Sequence, residues 1–247
     1  MLADSHCHLN EFKNVAEQVK KAANVGVVQI VSNSVDLESM QENLRIAKSF
    51  KEVQCALGLH PSNVLQMGKK EIEYALAFIE KNAAKCIAIG ETGLDFRHAE
   101  TELQRAKQRE SFTKQIELAK ELDKPVIVHS RMARAECVKL LAKHNVEKVL
   151  MHWFIANDKL LQKVIDLKYF ISIGPSVLFN EHICRFLEKV PIENLLLETD
   201  APVSYNGKRA EPFWIKSVAE KVASVLQISL KEVEKHTSKN FSKLFES

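Results

Sequence analysis

The sequence predicts an α/β fold, a closed (β/α)8 TIM barrel with additional C-terminal helices. Eight short apolar runs of strand character alternate with segments of helical period, which implies a parallel sheet with crossover helices. The chain has 247 residues, and such barrels run to about 250 residues as one unit. An open doubly wound sheet would usually carry a glycine-rich phosphate turn after its first strand, and none follows here. With seven glycines, six prolines and no linker or low-complexity stretch, residues 1–247 are expected to form a single domain.

Each element has its own warrant. Leu2–His8 reads as the first strand, with Asp4, His6 and His8 on one face and Ser5 and Cys7 on the other. Asn14–Asn24 then places Val15, Val19 and Ala22 on one helical face. Val27–Ser32 is the second strand, followed by Leu37–Phe50 with Met40, Leu44, Ala47 and Phe50. Val53–Leu59 leads to Glu71–Asn82, striped by Ile72, Ala75, Leu76 and Ile79. Cys86–Glu91 leads to Thr101–Leu122, striped by Ala106, Phe112, Ile116 and Ala119. Strands Pro125–His129, Lys148–His152 and Tyr169–Gly174 are followed by helices Ala133–Lys143, Asp158–Leu167 and Glu181–Lys189. Leu195–Asp200 is the eighth strand, and Pro212–Leu226 and Leu230–Leu244 are the extra helices.

Composition narrows the class. A hydrophobic fraction of 46% can fill a large core, and a net charge of +3 is too mild to argue nucleic-acid binding by itself. The five cysteines are scattered, without a C-x-x-C pair, and four read as small buried hydrophobes. That usage fits a reducing cytoplasm. No charged-then-apolar leader opens the chain and no apolar run approaches the ~20 residues of a membrane span. A cytoplasmic monomer without a membrane partner is expected.

In a barrel, functional side chains sit at the C-terminal ends of strands. Five of the nine histidines, His6, His8, His60, His129 and His152, fall there, as do Glu91, Glu198 and Asp200. Ordinary polar loops would bring Lys, Asn, Ser and Gln as readily. His98, His144, His182 and His236 read as surface or core histidines. Six ligand-type residues stand out: His6, His8, Glu91, His129, His152 and Asp200. One catalytic metal usually takes three protein ligands and a water. Six ligands suit two divalent ions sharing a carboxylate, a pair that clamps the attacking and leaving oxygens of a hydrolytic displacement. Four imidazoles favour Zn2+ or Mn2+ on ligand softness.

The motifs DSHCHL, GLHP, GETGLDF, PVIVHSR and ETDAP, with His152 after the sixth strand, resemble the TatD-type metal-dependent deoxyribonucleases. These belong to the wider amidohydrolase-like group of metal-dependent hydrolases. The similarity covers essentially the whole chain, including Arg209–Pro212 and Asn240–Phe245. It implies a (β/α) barrel with divalent metals that hydrolyses DNA phosphodiesters. Carried over by position, His6, His8, Glu91 and Asp200 would hold one metal and Glu91, His129 and His152 the other, with Glu91 as the bridge. The resemblance also allows Mg2+. Two stretches depart from it. Trp153-Phe154-Ile155-Ala156 stands where the family often has Cys-Phe-Ser-Gly, so a different pocket shape is expected. Ala210 stands where the family has Asn, which removes one amide from that loop.

Further residues are assigned around the ligands. Arg131, two residues past His129, is expected to point into the mouth and grip a phosphate in bidentate fashion. His60 reads either as a contact to substrate or ligands, or as a polar residue before a proline turn. Glu198 lies one layer beneath Asp200 and is expected to orient a ligand histidine, with Asp4 placed similarly beneath His6. Asp200 is expected both to bind metal and to accept the proton of the attacking water. Arg97, Arg105, Arg109, Arg131, Lys208 and Arg209 could form a basic rim, and Trp153 or Phe154 could stack on a terminal base. A site beneath a ring of loops admits a flexible strand more easily than a duplex about 20 Å across. The expected reaction is therefore exonucleolytic, on single-stranded or frayed DNA ends. The rival is hydrolysis of a small ester, lactone or amide. Many such relatives bridge their metals with a carbamylated lysine, and no strand here ends in one.

Overall fold

The computed structural model describes residues 1–246. Eight parallel strands run in sequence order: β1 (Leu2–Cys7), β2 (Val27–Asn33), β3 (Val53–Leu57), β4 (Ala88–Gly93), β5 (Val126–His129), β6 (Val149–Met151), β7 (Phe170–Ile173) and β8 (Leu195–Leu197). Helices α1 (Val15–Asn24), α2 (Leu37–Ser49), α4 (Lys69–Asn82), α5 (Glu102–Glu121), α6 (Arg134–Lys143), α7 (Asp158–Asp166) and α8 (Glu181–Leu187) cross over between them. Helices α9 (Ile215–Leu226) and α10 (Leu230–Phe245) follow β8. The result is a nearly closed (β/α)8 barrel.

The core has two layers. Leu57, Ile89, Val128, Met151, Ile171 and Leu197 belong to a large cluster that also takes the apolar stripes of the helices. Val31, Ala56, Ala88, Ile127, Leu150 and Leu196 form a second cluster with Phe241, Leu244 and Phe245 of α10. Alternation along each strand produces this division. Helix α10 thus closes the base of the barrel, and ligand-type residues are left to the other end.

The seam between β8 and β1 is closed by irregular contacts. Asp200 N–H donates to His6 O at 2.9 Å, His8 N–H to Ala201 O at 2.7 Å, and Ser5 Oγ to Leu197 O at 2.8 Å. The eighth strand therefore ends at Leu197, earlier than Leu195–Asp200 implies. Beyond it the chain turns, with Asp200 at φ 49°. A positive φ is uncommon outside glycine, and here the bond to His6 fixes it.

Three segments differ from the sequence reading. Pro61–Gln66 is a short helix, α3, with Pro61 in its first turn and the His60 side chain accepting the Ser62 N–H. Ser204–Tyr205 and Lys208–Arg209 form a hairpin, β9 and β10, around Asn206-Gly207. Both turn residues have positive φ, 50° and 76°, as the tightest hairpin turn requires. Pro212–Trp214 is a single 3-10 turn, so the helix expected from Pro212 starts at Ile215.

Candidate metal centre

The ligand-type side chains converge at the C-terminal mouth. Glycines make the approach possible where β3, β4 and β5 end. A Cβ on Gly93, at φ 138°, would stand 2.0 Å from His129 O, and one on Gly58 would stand 2.5 Å from Gly90 C. Any side chain at either position would push these strand ends, and their ligands, apart.

The first cluster contains His6 Nε2, His8 Nε2, Glu91 Oε2 and Asp200 Oδ1. Each imidazole nitrogen lies 3.4–3.5 Å from both carboxylate oxygens. That is too long for a hydrogen bond. It matches the edge of a tetrahedron of ligands around one ion, about 3.4 Å for bonds near 2.1 Å. His6 is completely buried and neither of its ring nitrogens has a hydrogen-bond partner. Such a group is costly unless something absent from the polypeptide satisfies it. The donor set therefore fits a divalent cation.

Neighbouring groups fix the tautomers. His8 Nδ1 lies 3.0 Å from Asn33 O and must donate there, which leaves the Nε2 lone pair facing Glu91 and Asp200. Glu198 does the same for His152: Oε2 takes Nδ1–H at 2.7 Å and Ser172 Oγ–H at 2.6 Å, while Oε1 takes Trp153 N–H at 3.1 Å. Asp4 acts differently. The β1 ladder is irregular between Asp4 and Cys7, and the Asp4 carboxylate accepts from Thr199 N–H, Thr199 Oγ1–H and His6 N–H. It ties backbone at the β1–β8 seam and reaches no imidazole ring. Burial, the main cause, pushes its carboxyl up to about 7.

The second cluster surrounds Glu91 Oε1. His129 Nδ1 lies 2.8 Å away, His60 Nε2 3.7 Å and His152 Nε2 3.8 Å. The spread is wider than in the first cluster. His129 Nε2 donates to Asp95 Oδ2 at 2.9 Å, which turns the Nδ1 lone pair toward Glu91. Two lone pairs at that distance repel unless a proton or a cation lies between them. His60 differs, because its Nδ1 accepts from Ser62 Oγ–H at 2.6 Å and Ser62 N–H at 3.2 Å. Its proton therefore sits on Nε2 and points into the cavity.

The electrostatics favour positive charge throughout. Burial would lower His6 and His8, but the Glu91 and Asp200 carboxylates raise both. Burial likewise opposes the His129 cation, yet Asp95 and Glu91 lift it to about 9. Burial would raise Glu91, but His6 and His129 hold it well below the usual carboxylate range. Burial would raise Asp200 too, and His152, His6 and His8 bring it down. His60 is the exception, lowered to about 3 by burial and so neutral.

The cavity above these groups has a volume of about 740 Å³ and is lined in part by His8, His60, Glu91, His129, His152 and Asp200. Arg131 also lines it and is exposed. Of the six residues considered for a basic rim, only Arg131 does so. Arg109 is held by Glu102 and Glu136, Arg105 lies over Phe96, and Arg209 lies over Phe12. Trp153 borders the cavity and packs on Tyr205 with centroids 5.3 Å apart. Phe154 is fully buried and cannot stack on a base. The loop with Ala210 is held by Ala210 N–H on Val203 O at 3.0 Å and by Lys21–Glu211 at 2.8 Å.

Two residues around the site were missed in the sequence. Asp95 lies in the GETGLDF motif, but a loop residue past a strand end has no period to say where it points. His98, read as surface, reaches the same Asp95 at 3.1 Å. Arg134, at the first position of α6, lines the cavity as well, and nothing in the helical pattern distinguishes it.

The family model described as TatD related DNase matches residues 3–246. Deoxyribonuclease TATDN3 of Homo sapiens is 35% identical over 260 residues, covering 99% of this chain and 94% of that protein. The uncharacterized metal-dependent hydrolase YabD of Bacillus subtilis (strain 168) is 30% identical and 99% of each chain is covered. Among solved structures, the TatD homolog YJJV of Escherichia coli k12 superposes with a TM-score of 0.91 at 26% identity, covering 100% of this chain and 98% of that one. The strand order, the convergent ligand set and these matches agree: the chain belongs to the TatD related DNase family of metal-dependent hydrolases.

Proposed function

We propose that this hydrolase cleaves DNA phosphodiesters, as an exonuclease on single-stranded or frayed ends, with two divalent cations bridged by Glu91. The observation that carries the reading is that His6 Nε2 and His8 Nε2 each stand 3.4–3.5 Å from both Glu91 Oε2 and Asp200 Oδ1. His129 and His152, with the second oxygen of Glu91, are assigned to the other cation. Bound divalent ions supply Lewis acidity toward phosphoryl oxygens and lower the pKa of water. Zn2+, Mn2+ and Mg2+ are the ions to test.

The protein groups have separate tasks. Asp200 has Oδ1 in the ligand cluster and Oδ2 beyond it, 4.0 Å from His152 Nε2. The second oxygen is the base that takes the proton of the attacking water. His60, neutral with Nε2–H facing the cavity, donates to a phosphoryl oxygen. Arg131 grips the same phosphate from the rim, and Trp153 offers a face to the terminal base. A cavity of about 740 Å³ takes a strand end but not a duplex about 20 Å wide. None of the described residues lining it is a lysine, so a carbamylated bridge of the lactonase or amidase kind has no source here.

Asp200→Asn tests the reading. It keeps the shape and part of the ligand capacity and removes the base, so cleavage of single-stranded DNA should fall by about 10²-fold or more. Native-rate cleavage by that variant would refute the role given to Asp200. Turnover of small lactones or amides, with DNA left intact under all three ions, would replace the nuclease reading.

A further inference from the structure

Arg134 is a cation without a counterion. It is half-buried, and its Nε is buried with no hydrogen-bond partner. It lines the same cavity as Glu91 and Asp200. Arg134 forms no ion pair among the described residues, and two carboxylates of the neighbouring sequence are committed elsewhere. Glu136, two residues along α6, is bound by Arg109, and Asp95 is bound by His129 and His98. Arg134 also sits in the first turn of α6, where the helix dipole is positive and a cation is least favoured. The N-cap residue, Ala133, brings no side-chain acceptor to that end. Arg131, three residues earlier, lines the cavity too and has no carboxylate within ion-pair distance among the described residues.

Two unpaired guanidinium groups at one helix start, beside a centre already assigned to a diester, ask for more negative charge than one diester carries. A phosphodiester brings a single charge. A terminal phosphate monoester brings about 1.5 to 2 at neutral pH and three acceptor oxygens. We infer that Arg134 anchors a terminal phosphate next to the scissile diester, so that the preferred substrate is a DNA end carrying a phosphate. The inference rests on the nuclease reading and adds the chemistry of the end. The phosphate could lie on the 5′ or the 3′ side, and both present the same dianion to the guanidinium.

The test uses three thymidine dinucleotides: bare, 5′-phosphorylated and 3′-phosphorylated. Binding is first measured on full-length protein stripped of metal, by titration of tryptophan fluorescence. One phosphorylated form should bind about tenfold tighter than the bare one, the worth of a charge-assisted bond. Arg134→Ala should remove most of that advantage. Arg134→Lys, which keeps the charge and loses the fork, should retain part of it. Thermal melting of both variants checks that they are folded, and the lysine variant serves if the alanine variant is not. With metal restored, kcat/KM should show the same preference. Equal binding and equal cleavage of all three by the native protein, alongside cleavage of longer single strands, would overturn the inference and leave the nuclease reading standing. No cleavage of any DNA would remove that reading and this inference with it.

Discussion

Glu198 is the residue on which the His152 tautomer depends. Its two oxygens accept from His152, Ser172 and Trp153, all from a fully buried position. Glu198→Gln puts an amide where one of these acceptors stood, so Nε2 of His152 is no longer reliably the free nitrogen. Metal affinity should fall by about 10–100-fold with little change in the fold, measured by competition with a chromogenic chelator. Unchanged affinity would make Glu198 a structural carboxylate only. The imidazoles also set a pH dependence in protein stripped of metal. His129 rises from 6.5 unfolded to about 9 folded. Its contribution to stability is therefore complete below 6.5 and is lost as pH rises through about 9. Glu91 and Asp200 are depressed from 4.5 and 3.8, so their contribution is present above those values and is lost in acid. Tm of the stripped protein should peak between these limits and drop toward pH 9.5, and added cation should abolish the alkaline drop. A flat alkaline limb would show that His129 is not held protonated by Asp95 and Glu91.

Among the elements, the strand ends do the positioning. Gly93 lets β4 pass against the carbonyl of His129 at a distance no Cβ tolerates. Gly93→Ala adds that clash to a φ of 138°, which an L residue rarely adopts. We expect a loss of about 2–4 kcal/mol of stability from overpacking and backbone strain together, read by urea denaturation, and weaker metal binding because Glu91 and His129 move apart. A neutral substitution would mean that the strand ends can separate without cost. The eight strands were legible because each is a short apolar run, and all but β2 and β7 lead into a ligand-type side chain. Helix α3 was not, because six residues starting at a proline carry no helical period. The β9–β10 hairpin was missed although Asn206-Gly207 is a strong turn signal, since strands of two residues leave nothing to alternate.

At the scale of the whole molecule, barrel topology brings side chains as far apart in sequence as His6 and Asp200 into one mouth. The sequence alone singled out His6, His8, Glu91, His129, His152 and Asp200, which the structure brings together at the mouth, because barrel folds concentrate chemistry at strand ends. It could not identify which groups hold those side chains when the partner lies in a loop or on another strand. Asn33 O beneath His8, Asp95 beneath His129 and Ser172 beneath Glu198 emerged only in three dimensions. Asp4 was expected under an imidazole and instead binds backbone across the β1–β8 seam, because strand alternation breaks there. Among the described residues no helix is long and apolar enough to cross a membrane. The proposed function requires a two-cation centre bridged by Glu91 that hydrolyses DNA. Its most direct test is metal stoichiometry by elemental analysis, paired with hydrolysis of single-stranded DNA, for the native protein and Glu91→Gln. The native protein should hold two ions per chain and cleave; Glu91→Gln should keep its fold, lose bound metal and lose cleavage by about 10²-fold or more. Full metal content and full activity in that variant would contradict the account.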